Sequence, residues 1–342
     1  MKPSKPSEFE SIDDPVPGDL PEDSLASYNP SRTLPEKQTP SNVHEKSPHL
    51  PLWKLDATAD KEEGEDWQEA HQTPARGGPT NYRFEQVIGE GGFGEVWTAH
   101  QLSLDRLVAI KRIRPAVFEK VEEDDRRELD LSFCQEAFTN ANLEHPNIVP
   151  VYDLGRDDTG TPLLTMKYIR GEPWNKMLRR DRQDMIIAEF LTKHIRILVE
   201  VAQAVAFAHS RGVVHRDLKP HQVMVGEYGE VLLTDWGLAM VFDQKMLCES
   251  QTRIRPKFLP DTDTASNPAG TPSFMAPEQT LRTARKIGPW TDVYLLGGIL
   301  YYILTGRPPH RGESPKQVFL KARLGDVTPP SQVHPDGYIP DD

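Results

Sequence analysis

The chain has 342 residues, with 40 Lys and Arg against 52 Asp and Glu, for a formal net charge of −12. This acidic balance argues against non-specific binding of nucleic acid or of an anionic membrane. The two cysteines, Cys134 and Cys248, exclude a disulfide framework and a zinc cluster and are typical of a cytoplasmic protein. The N-terminus lacks the apolar core of a signal peptide, and the longest apolar run, residues 293–304, is too short for a membrane span.

Residues 1–80 are rich in Pro, Ser, Glu and Asp and poor in aliphatic side chains. Such a composition cannot bury enough apolar surface to offset the entropy lost on ordering, so we predict a disordered segment. It contains an apolar island, "HLPLWKLDA" at residues 49–57. We interpret this island as a chance cluster in preference to a short docking motif.

Residues 81–170 carry the pattern of a strand-rich lobe with one main helix. Alternation in "RFEQVI" predicts a strand, the glycines after it predict a turn, and "EVWTAH" predicts a returning strand. "LVAIKRI", "NIVPVYDLG" and "PLLTMKYIRG" predict three further strands. The charged stretch at residues 118–145 has helical spacing that improves toward its end.

The pattern changes at residue 171, where helical periodicity becomes dominant. The segment "AEFLTKHIRILVEVAQAVAFAH" is predicted to be a helix with one apolar face, formed by Leu191, Ile195, Leu198, Val201, Ala202 and Val205. "GEVLLTDWG" predicts a short strand, a polar loop covers residues 241–270, and the rest is mostly helical. The sequence therefore predicts a two-lobe α+β protein, with its lobes at residues 81–170 and 171–342.

The stretch "GEGGFGEV" supplies Gly89, Gly91, Gly92 and Gly94, followed by Val96. Glycine lets backbone N–H groups approach a phosphate because no Cβ stands in the way. The pattern alone also fits a dinucleotide-binding turn or a plain glycine-rich hairpin. A dinucleotide-binding turn requires a helix after the loop, whereas a strand rich in β-formers follows here. We therefore favour a hairpin that covers phosphates.

Lys111 lies within the apolar strand "LVAIKRI", and a buried ammonium group needs a negative partner or an anion. Glu136 can be that partner if the helix around it packs on the sheet. The alternative is a surface lysine with only its stem buried. The sequence thus predicts an ion pair between Lys111 and Glu136, with an exposed lysine as the competing interpretation.

"HRDLKPHQ" brings Asp217, Lys219 and Gln222 within six residues of a tight loop. A carboxylate can accept a hydroxyl proton, a lysine can neutralise a transferring phosphoryl group, and an amide oxygen can bind a metal. "LLTDWGLA" adds Asp235 at a strand end, where a carboxylate can hold a hard cation. A surface charge cluster is the alternative, but the apolar flanks of the loop favour a rigid site. Together these groups predict phosphoryl transfer.

These motifs, in this order, resemble the protein-kinase family, and within it the eukaryotic-like Ser/Thr kinases of bacteria. The resemblance covers about residues 82–340 and rests on "GEGGFGEV", "VAIK", Glu136, "HRDLKP", "DWG", "GTPSFMAPEQ" and "TDVYLLGGILYYILTGRPP". It implies a small antiparallel-sheet N-lobe with one main helix and a larger, mostly helical C-lobe. It also implies ATP and Mg²⁺, or Mn²⁺, as cofactors, and Ser/Thr protein substrates that include the chain itself.

The resemblance implies a role for each matching residue. Lys111 is expected to contact the ATP phosphates and pair with Glu136, and Asp217 to be the base or orienting group for the substrate hydroxyl. Asp235 and Gln222 are the implied metal ligands. The implied adenine pocket consists of Val96, Ala109, Met166, Lys167, Ile169 and Met224.

Two further implied features concern specificity and control. Lys219 and Thr271 resemble the Ser/Thr-specific pattern. An arginine directly before the catalytic aspartate, here Arg216, resembles the pattern of kinases that are switched by phosphorylation of the activation loop. In this chain that loop is residues 235–278, and a new phosphate on it would pair with Arg216. The candidate phosphorylation sites are Ser250, Thr252, Thr262, Thr264 and Ser266. For any one of them, an unmodified residue is the favoured interpretation.

Three departures separate the chain from the family pattern. Gln222 replaces an Asn that is one methylene shorter, and Trp236 replaces a Phe. After residue 314 the pattern supplies one helix where a kinase has several. Glu278 is therefore expected to lack its arginine partner and the C-lobe to be incomplete, which favours self-association. We predict an active Ser/Thr kinase, and the alternative is a nucleotide-binding pseudokinase that acts as a scaffold.

Overall fold

The structure is a computed structural model that describes residues 81–91, 94–118, 121–243 and 259–333. The segment predicted to be disordered and its apolar island lie outside the described residues. So do four residues named above: Gly92, Cys248, Ser250 and Thr252.

Five antiparallel strands form the sheet of the N-lobe, in the order β1-β2-β3-β5-β4. Their bounds are Tyr82–Glu90 (β1), Gly94–Gln101 (β2), Arg106–Ile113 (β3), Val151–Arg156 (β4) and Pro162–Lys167 (β5). One face of the sheet buries Ala99, Val108, Ile110 and Leu163 in a small apolar cluster. All five predicted strands are confirmed, with ends shifted by a few residues.

Two helices follow β3, namely α1 (Pro115–Phe118) and α2 (Glu123–Asn142). The longer one begins with a run of three acidic residues, which the positive end of the helix dipole favours. Its second half buries Phe133 and Ala137 against the sheet, and Glu136 is carried in with them. The helix that carries Glu136 therefore packs on the sheet, which is the arrangement that Glu136 needs in order to reach Lys111.

The C-lobe is mostly helical, as predicted. Its helices are Trp174–Asp184 (α3), Ile187–Ser210 (α4), Pro289–Thr305 (α5), Pro315–Leu324 (α6) and Pro330–Val333 (α7). Its short strands are Gly171–Pro173 (β6), Val213–Val214 (β7), Val223–Gly226 (β8), Val231–Leu233 (β9) and Met240–Val241 (β10). They form one three-stranded sheet, in the order β6-β8-β9, and one pair, β7 with β10.

The core of the C-lobe includes residues of α4, α5, β8 and β9. On α4, Val201 and Val205 are buried as predicted, whereas Leu191 and Leu198 are only partly buried. The buried face of α4 is rotated by about one residue from the predicted face. It includes His194, a polar side chain that the apolar pattern did not count. A helix face read from apolar residues alone misses a histidine that belongs to the core.

Proline and glycine set the ends of the last long helices. α5 and α6 each begin with proline, whose fixed φ suits a first helical turn. They are followed by Gly306 and Gly325, with φ of 70° and 62°, the left-handed conformation that ends a helix. No helix within the described residues is long and apolar enough to cross a bilayer. The predicted two-lobe α+β fold is confirmed.

Candidate active site

The glycine-rich loop joins β1 to β2 as a hairpin in which Gly89 lies opposite Val96. The backbone N–H of Gly91 donates to the carbonyl of Gly94 at 2.8 Å and closes the turn. A Cβ on Gly94 would lie only 3.2 Å from the carbonyl oxygen of Arg112, so a larger residue would push β2 away from β3. The strand after the loop confirms the hairpin and excludes a dinucleotide-binding turn.

Lys111 forms the predicted ion pair with Glu136. Its ammonium nitrogen lies 2.6 and 2.7 Å from the two carboxylate oxygens of Glu136 and 3.6 Å from Oδ1 of Asp235. Burial alone would lower the pKa of Lys111, but the two carboxylates reverse this effect and raise the pKa above its usual value. Lys111 therefore stays charged between them.

Asp235 follows β9 in a left-handed backbone conformation with φ of 63°. The positive charge of Lys111 is the main cause that lowers the pKa of Asp235, so this carboxylate is ionised. A Cβ on Gly237 would lie 3.3 Å from Oε2 of Glu136 and 3.4 Å from Oδ1 of Asp235. Glycine therefore lets the "DWG" turn lie against the ion pair, while Trp236 is 1% exposed and packs in the C-lobe core.

The catalytic-loop residues form a second set of short contacts. Lys219 Nζ donates to Oδ2 of Asp217 and to Oγ1 of Thr271, both at 2.6 Å. The hydroxyl of Thr271 in turn donates to Oδ1 of Asp217 at 2.6 Å. The charge of the aspartate is thus balanced and its orientation is fixed from two sides.

Gln222 joins the two sets. Its amide nitrogen donates to Oδ2 of Asp235 at 2.9 Å and to Oδ2 of Asp217 at 3.1 Å. Two carboxylate oxygens would repel an amide oxygen, so the nitrogen is the end that faces them. Seven of the residues singled out in the sequence therefore form one continuous chain of polar contacts, in the order Glu136, Lys111, Asp235, Gln222, Asp217, Lys219 and Thr271.

The sequence interpretation missed one residue that supports this loop, Asp292 of α5. Its fully buried carboxylate accepts the backbone N–H of His215 at 2.8 Å and of Arg216 at 2.9 Å, and it contacts Nε2 of His209 at 2.8 Å. The signal was an acidic residue directly before the apolar run "VYLLGGILYYIL" of the same helix, since a buried charge requires partners. These bonds hold Arg216 in a left-handed conformation, with φ of 70°.

Arg216 is 2% exposed and is already engaged with the activation loop. Its guanidinium donates to the carbonyl of Ser266 at 2.8 Å and to Oδ1 of Asn267 at 3.0 Å. Burial lowers the pKa of Arg216 to about 10, so it remains charged at neutral pH. The predicted pairing with a phosphate would require these bonds to exchange. Among the candidate phosphorylation sites, Thr264 and Ser266 are exposed.

The predicted adenine-pocket residues lie on both sides of the link between the lobes. Ala109 of β3 is the cross-strand neighbour of Met166 on β5. Lys167 donates its N–H to the carbonyl of Pro150, and Ile169 lies in the link after β5, outside any strand. On the C-lobe side, Met224 of β8 lies opposite Pro173 and is partly exposed.

A cation has few protein ligands at this site. The described residues contain no cluster of three His, Cys, Asp or Glu side chains that could hold a metal alone. What the site offers is the ionised carboxylate of Asp235, whereas the amide of Gln222 turns its nitrogen toward both carboxylates and has to rotate before its oxygen can face a cation. Mg²⁺ bound to a nucleotide takes one or two carboxylates from the protein and oxygen atoms from the phosphates. The residues present therefore fit a metal that a nucleotide brings with it.

Glu278 has a partner that the sequence did not indicate. The hydroxyl of Thr291 donates to Oε1 of Glu278 at 2.7 Å. Thr291 lies in the first turn of α5, one position before Asp292. The "APE" segment is therefore tied to the same helix that holds the catalytic loop.

Comparison with known proteins gives one matching family model, described as protein kinase domain, over residues 82–332. A serine/threonine-protein kinase named PknD from Protochlamydia amoebophila is 36% identical over 244 residues, which cover 67% of this chain and 23% of the relative. PknD from Chlamydia trachomatis serovar L2b is 32% identical over 282 residues, which cover 76% of this chain and 28% of the relative. A serine/threonine-protein kinase named pkn3 from Myxococcus xanthus is 33% identical over 262 residues, covering 75% and 44%.

The chain thus spans about a quarter of the length of the PknD relatives. The matched region contains the glycine hairpin, the Lys111–Glu136 pair, the catalytic loop and the "DWG" aspartate. Membership of this family implies ATP and a divalent metal as cofactors. On the match over residues 82–332 and the identity to these relatives, the chain belongs to the protein kinase family.

Proposed function

We propose that the chain is a Ser/Thr protein kinase that transfers the γ-phosphate of ATP to protein hydroxyl groups, including its own. The observation that carries this proposal is the unbroken chain of contacts from Glu136 to Thr271. It joins a group suited to nucleotide phosphates, a group suited to a metal and a group suited to a hydroxyl. A pseudokinase would not need all three to be intact and in contact.

On the nucleotide side, Lys111 donates to the α- and β-phosphates while Glu136 holds its ammonium group in place. The backbone of the glycine hairpin covers the phosphates, and the adenine lies between Ala109 and Met224. Mg²⁺, or Mn²⁺ in its place, would be held by Asp235 and by the amide oxygen of Gln222 once that amide has rotated from its present bonds, and it would neutralise phosphate charge.

On the acceptor side, Asp217 orients the substrate hydroxyl and takes its proton. The hydroxyl oxygen forms a bond to the γ-phosphorus, the bond from that phosphorus to the β-phosphate oxygen breaks, and ADP leaves with the electron pair. Lys219 offsets the negative charge on the transferring group. The hydroxyl of Thr271 is hydrogen-bonded to both Asp217 and Lys219 and fixes their positions relative to each other.

The Ser/Thr assignment rests on Lys219 and Thr271 and on the names of the relatives, which are serine/threonine-protein kinases.

We further propose that the kinase domain spans residues 81–342, with its two lobes divided between residues 170 and 171, and that a separate segment at residues 1–80 precedes it. We propose action in the cytoplasm, where ATP is abundant and thiols such as Cys134 stay reduced.

Transfer from γ-labelled ATP tests the proposal directly. The chain is incubated with Mg²⁺ or Mn²⁺, alone and with a general protein substrate, beside Asp217→Asn. We expect label on serine and threonine, and a loss of about 10²-fold or more in the variant because the hydroxyl loses its proton acceptor. Binding of ATP without any transfer would support the pseudokinase alternative, and label that persists in Asp217→Asn would overturn the assignment of that residue.

A further inference from the structure

Two cationic side chains on α3 have no acidic partner within the described part of the chain. Lys176 and Arg179 lie three positions apart, on one side of the helix, and both are exposed. The other arginines of α3 are engaged, since Arg180 pairs with Glu172 and Arg182 donates to carbonyls at the end of α5. Two positive charges therefore remain side by side on this surface.

The helix that carries them adjoins the catalytic loop. α3 packs against the turn Pro220–Gln222, and the middle residue of that turn, His221, is exposed. Partial burial lowers the pKa of His221, and the positive charges of Lys219 and Arg179 lower it further. The side chain of Arg179 therefore lies near enough to act electrostatically on a residue of the catalytic loop.

Neighbouring carboxylates do not cancel this charge. Asp217 is balanced by Lys219 at 2.6 Å, and Glu172 is balanced by Arg180. Asp184 is exposed but lies two turns beyond Lys176, at the far end of α3. Among the described residues beside the acceptor site, positive charge is therefore in excess, on a chain whose net charge is −12.

We propose that Lys176 and Arg179 form a basic patch, with the imidazole of His221 beside them as a further hydrogen-bond donor, and that this patch binds anionic side chains next to the phosphate-accepting hydroxyl. The preferred substrates are Ser/Thr peptides flanked by Asp, Glu or an already phosphorylated residue. Guanidinium matches carboxylate and phosphate with two parallel hydrogen bonds. An exposed ion pair changes affinity by roughly up to fivefold, so two or three anions next to the acceptor give a measurable preference. This inference rests on the proposed kinase activity.

The first test measures transfer to matched peptides that carry one Ser acceptor. The residues around it are Asp, phosphoserine, Ala or Lys in otherwise identical sequences. We expect kcat/KM to be highest for the anionic peptides and lowest for the lysine peptide. The arms with Asp and phosphoserine distinguish a carboxylate ligand from a phosphate ligand. The preference should shrink at about 1 M salt, where the Debye length is about 3 Å.

The second test separates substrate choice from catalysis. The same peptides with Ala in place of the acceptor Ser are labelled with a dye, and binding is followed by fluorescence anisotropy. We compare the parent chain with Lys176→Glu/Arg179→Glu and with His221→Glu. The matched control is Arg196→Glu, a charge reversal at an exposed position in the groove between α4 and the β8–β9 hairpin.

We expect the patch variants to bind the anionic peptides roughly threefold to tenfold more weakly and to reverse the preference over lysine peptides. Arg196→Glu should keep the parental order. Equal binding of anionic and basic peptides, or the same loss in Arg196→Glu, would overturn the inference. Selective binding without transfer to any peptide would support the patch and count against the kinase proposal instead.

Discussion

At the scale of single residues, Gln222 donates to both Asp217 and Asp235 from one amide nitrogen. An asparagine is one methylene shorter and cannot span the two carboxylates in the same way, but it is the residue of the family pattern. We predict that Gln222→Asn holds or raises the transfer rate, whereas Gln222→Ala lowers it by about 10²-fold, the effect of a misplacement near 1 Å. Steady-state kcat of the parent chain and the two variants, with Mg²⁺ and with Mn²⁺, measures these changes in rate.

The number of Mn²⁺ ions bound with an ATP analogue, counted by electron paramagnetic resonance, gives a readout that does not depend on turnover. The asparagine variant should bind at least as many ions as the parent. A loss of rate in Gln222→Asn as deep as in Gln222→Ala would mean that the longer amide is itself required.

His194 makes folding stability depend on pH. It is fully buried, its Nδ1 accepts from Nε1 of Trp174 at 2.9 Å, and burial lowers its pKa to about 4. Between pH 6.5 and 4 the unfolded chain binds a proton here and the folded chain does not, so stability falls as pH falls through this window. The loss at pH 4 amounts to roughly 3 kcal/mol from a shift of this size.

Urea unfolding at several pH values measures this dependence. His194→Gln can still accept from Trp174 but cannot titrate, so it should flatten the slope between pH 6.5 and 4. The same slope in the parent and in the variant would assign the acid sensitivity to other groups.

At the scale of elements, Arg182 of α3 caps the C-terminal end of α5. Its guanidinium donates to the carbonyls of Tyr302, Ile303 and Leu304, and α5 has no basic residue in its own last turn. We predict that Arg182→Ala destabilises the fold by about 1–3 kcal/mol, because carbonyls at a helix end lose a charged donor. The stability of Arg182→Lys should fall between those of the parent chain and Arg182→Ala, since lysine keeps the charge but offers fewer donors.

Urea unfolding of both variants, with Arg196→Ala on α4 as an exposed control, provides the test. A change in Arg182→Ala no larger than that of the control would show that the cap is not needed for stability.

The elements differ in how far the sequence could predict them. Strands β1 to β5 follow from local alternation and turn residues, and Lys111 could be paired with Glu136 because a buried charge demands a partner. Asp292 and His194 escaped prediction, since each is explained by partners many residues away: Asp292 binds the backbone of residues 215 and 216, and His194 binds Trp174. Apolar periodicity cannot register a polar side chain whose partners come from other elements.

At the scale of the whole molecule, the prediction of self-association has a specific surface to test. Along α5, Trp290 and Val293 are each 61% exposed, Leu300 is 36% exposed, and a Cβ on Gly297 would meet open space. The four positions are spaced symmetrically about position 295, because 290 mirrors 300 and 293 mirrors 297, so two copies of the helix could pack on this stripe in antiparallel fashion. We predict concentration-dependent dimers that strengthen with salt, because the charge of −12 opposes association.

Sedimentation equilibrium measures the mass against concentration and salt. Val293→Asp should shift the chain to monomer, while Val199→Asp, at another exposed apolar position on α4, serves as the control. A parent chain that stays monomeric at all concentrations would contradict the prediction.

The carboxylate of Asp292 has a consequence for how the molecule opens. Two successive backbone amides of the catalytic loop, at residues 215 and 216, end on a fully buried side chain of α5. These amide protons can meet deuterated water only when the contact with the helix is broken, so we expect them to exchange about as slowly as amides in the middle of α5. In Asp292→Asn, which replaces one acceptor oxygen with a donor, they should exchange early while the helix stays protected. Slow exchange in the parent chain would place the loop that carries Asp217 in the part of the C-lobe that unfolds last.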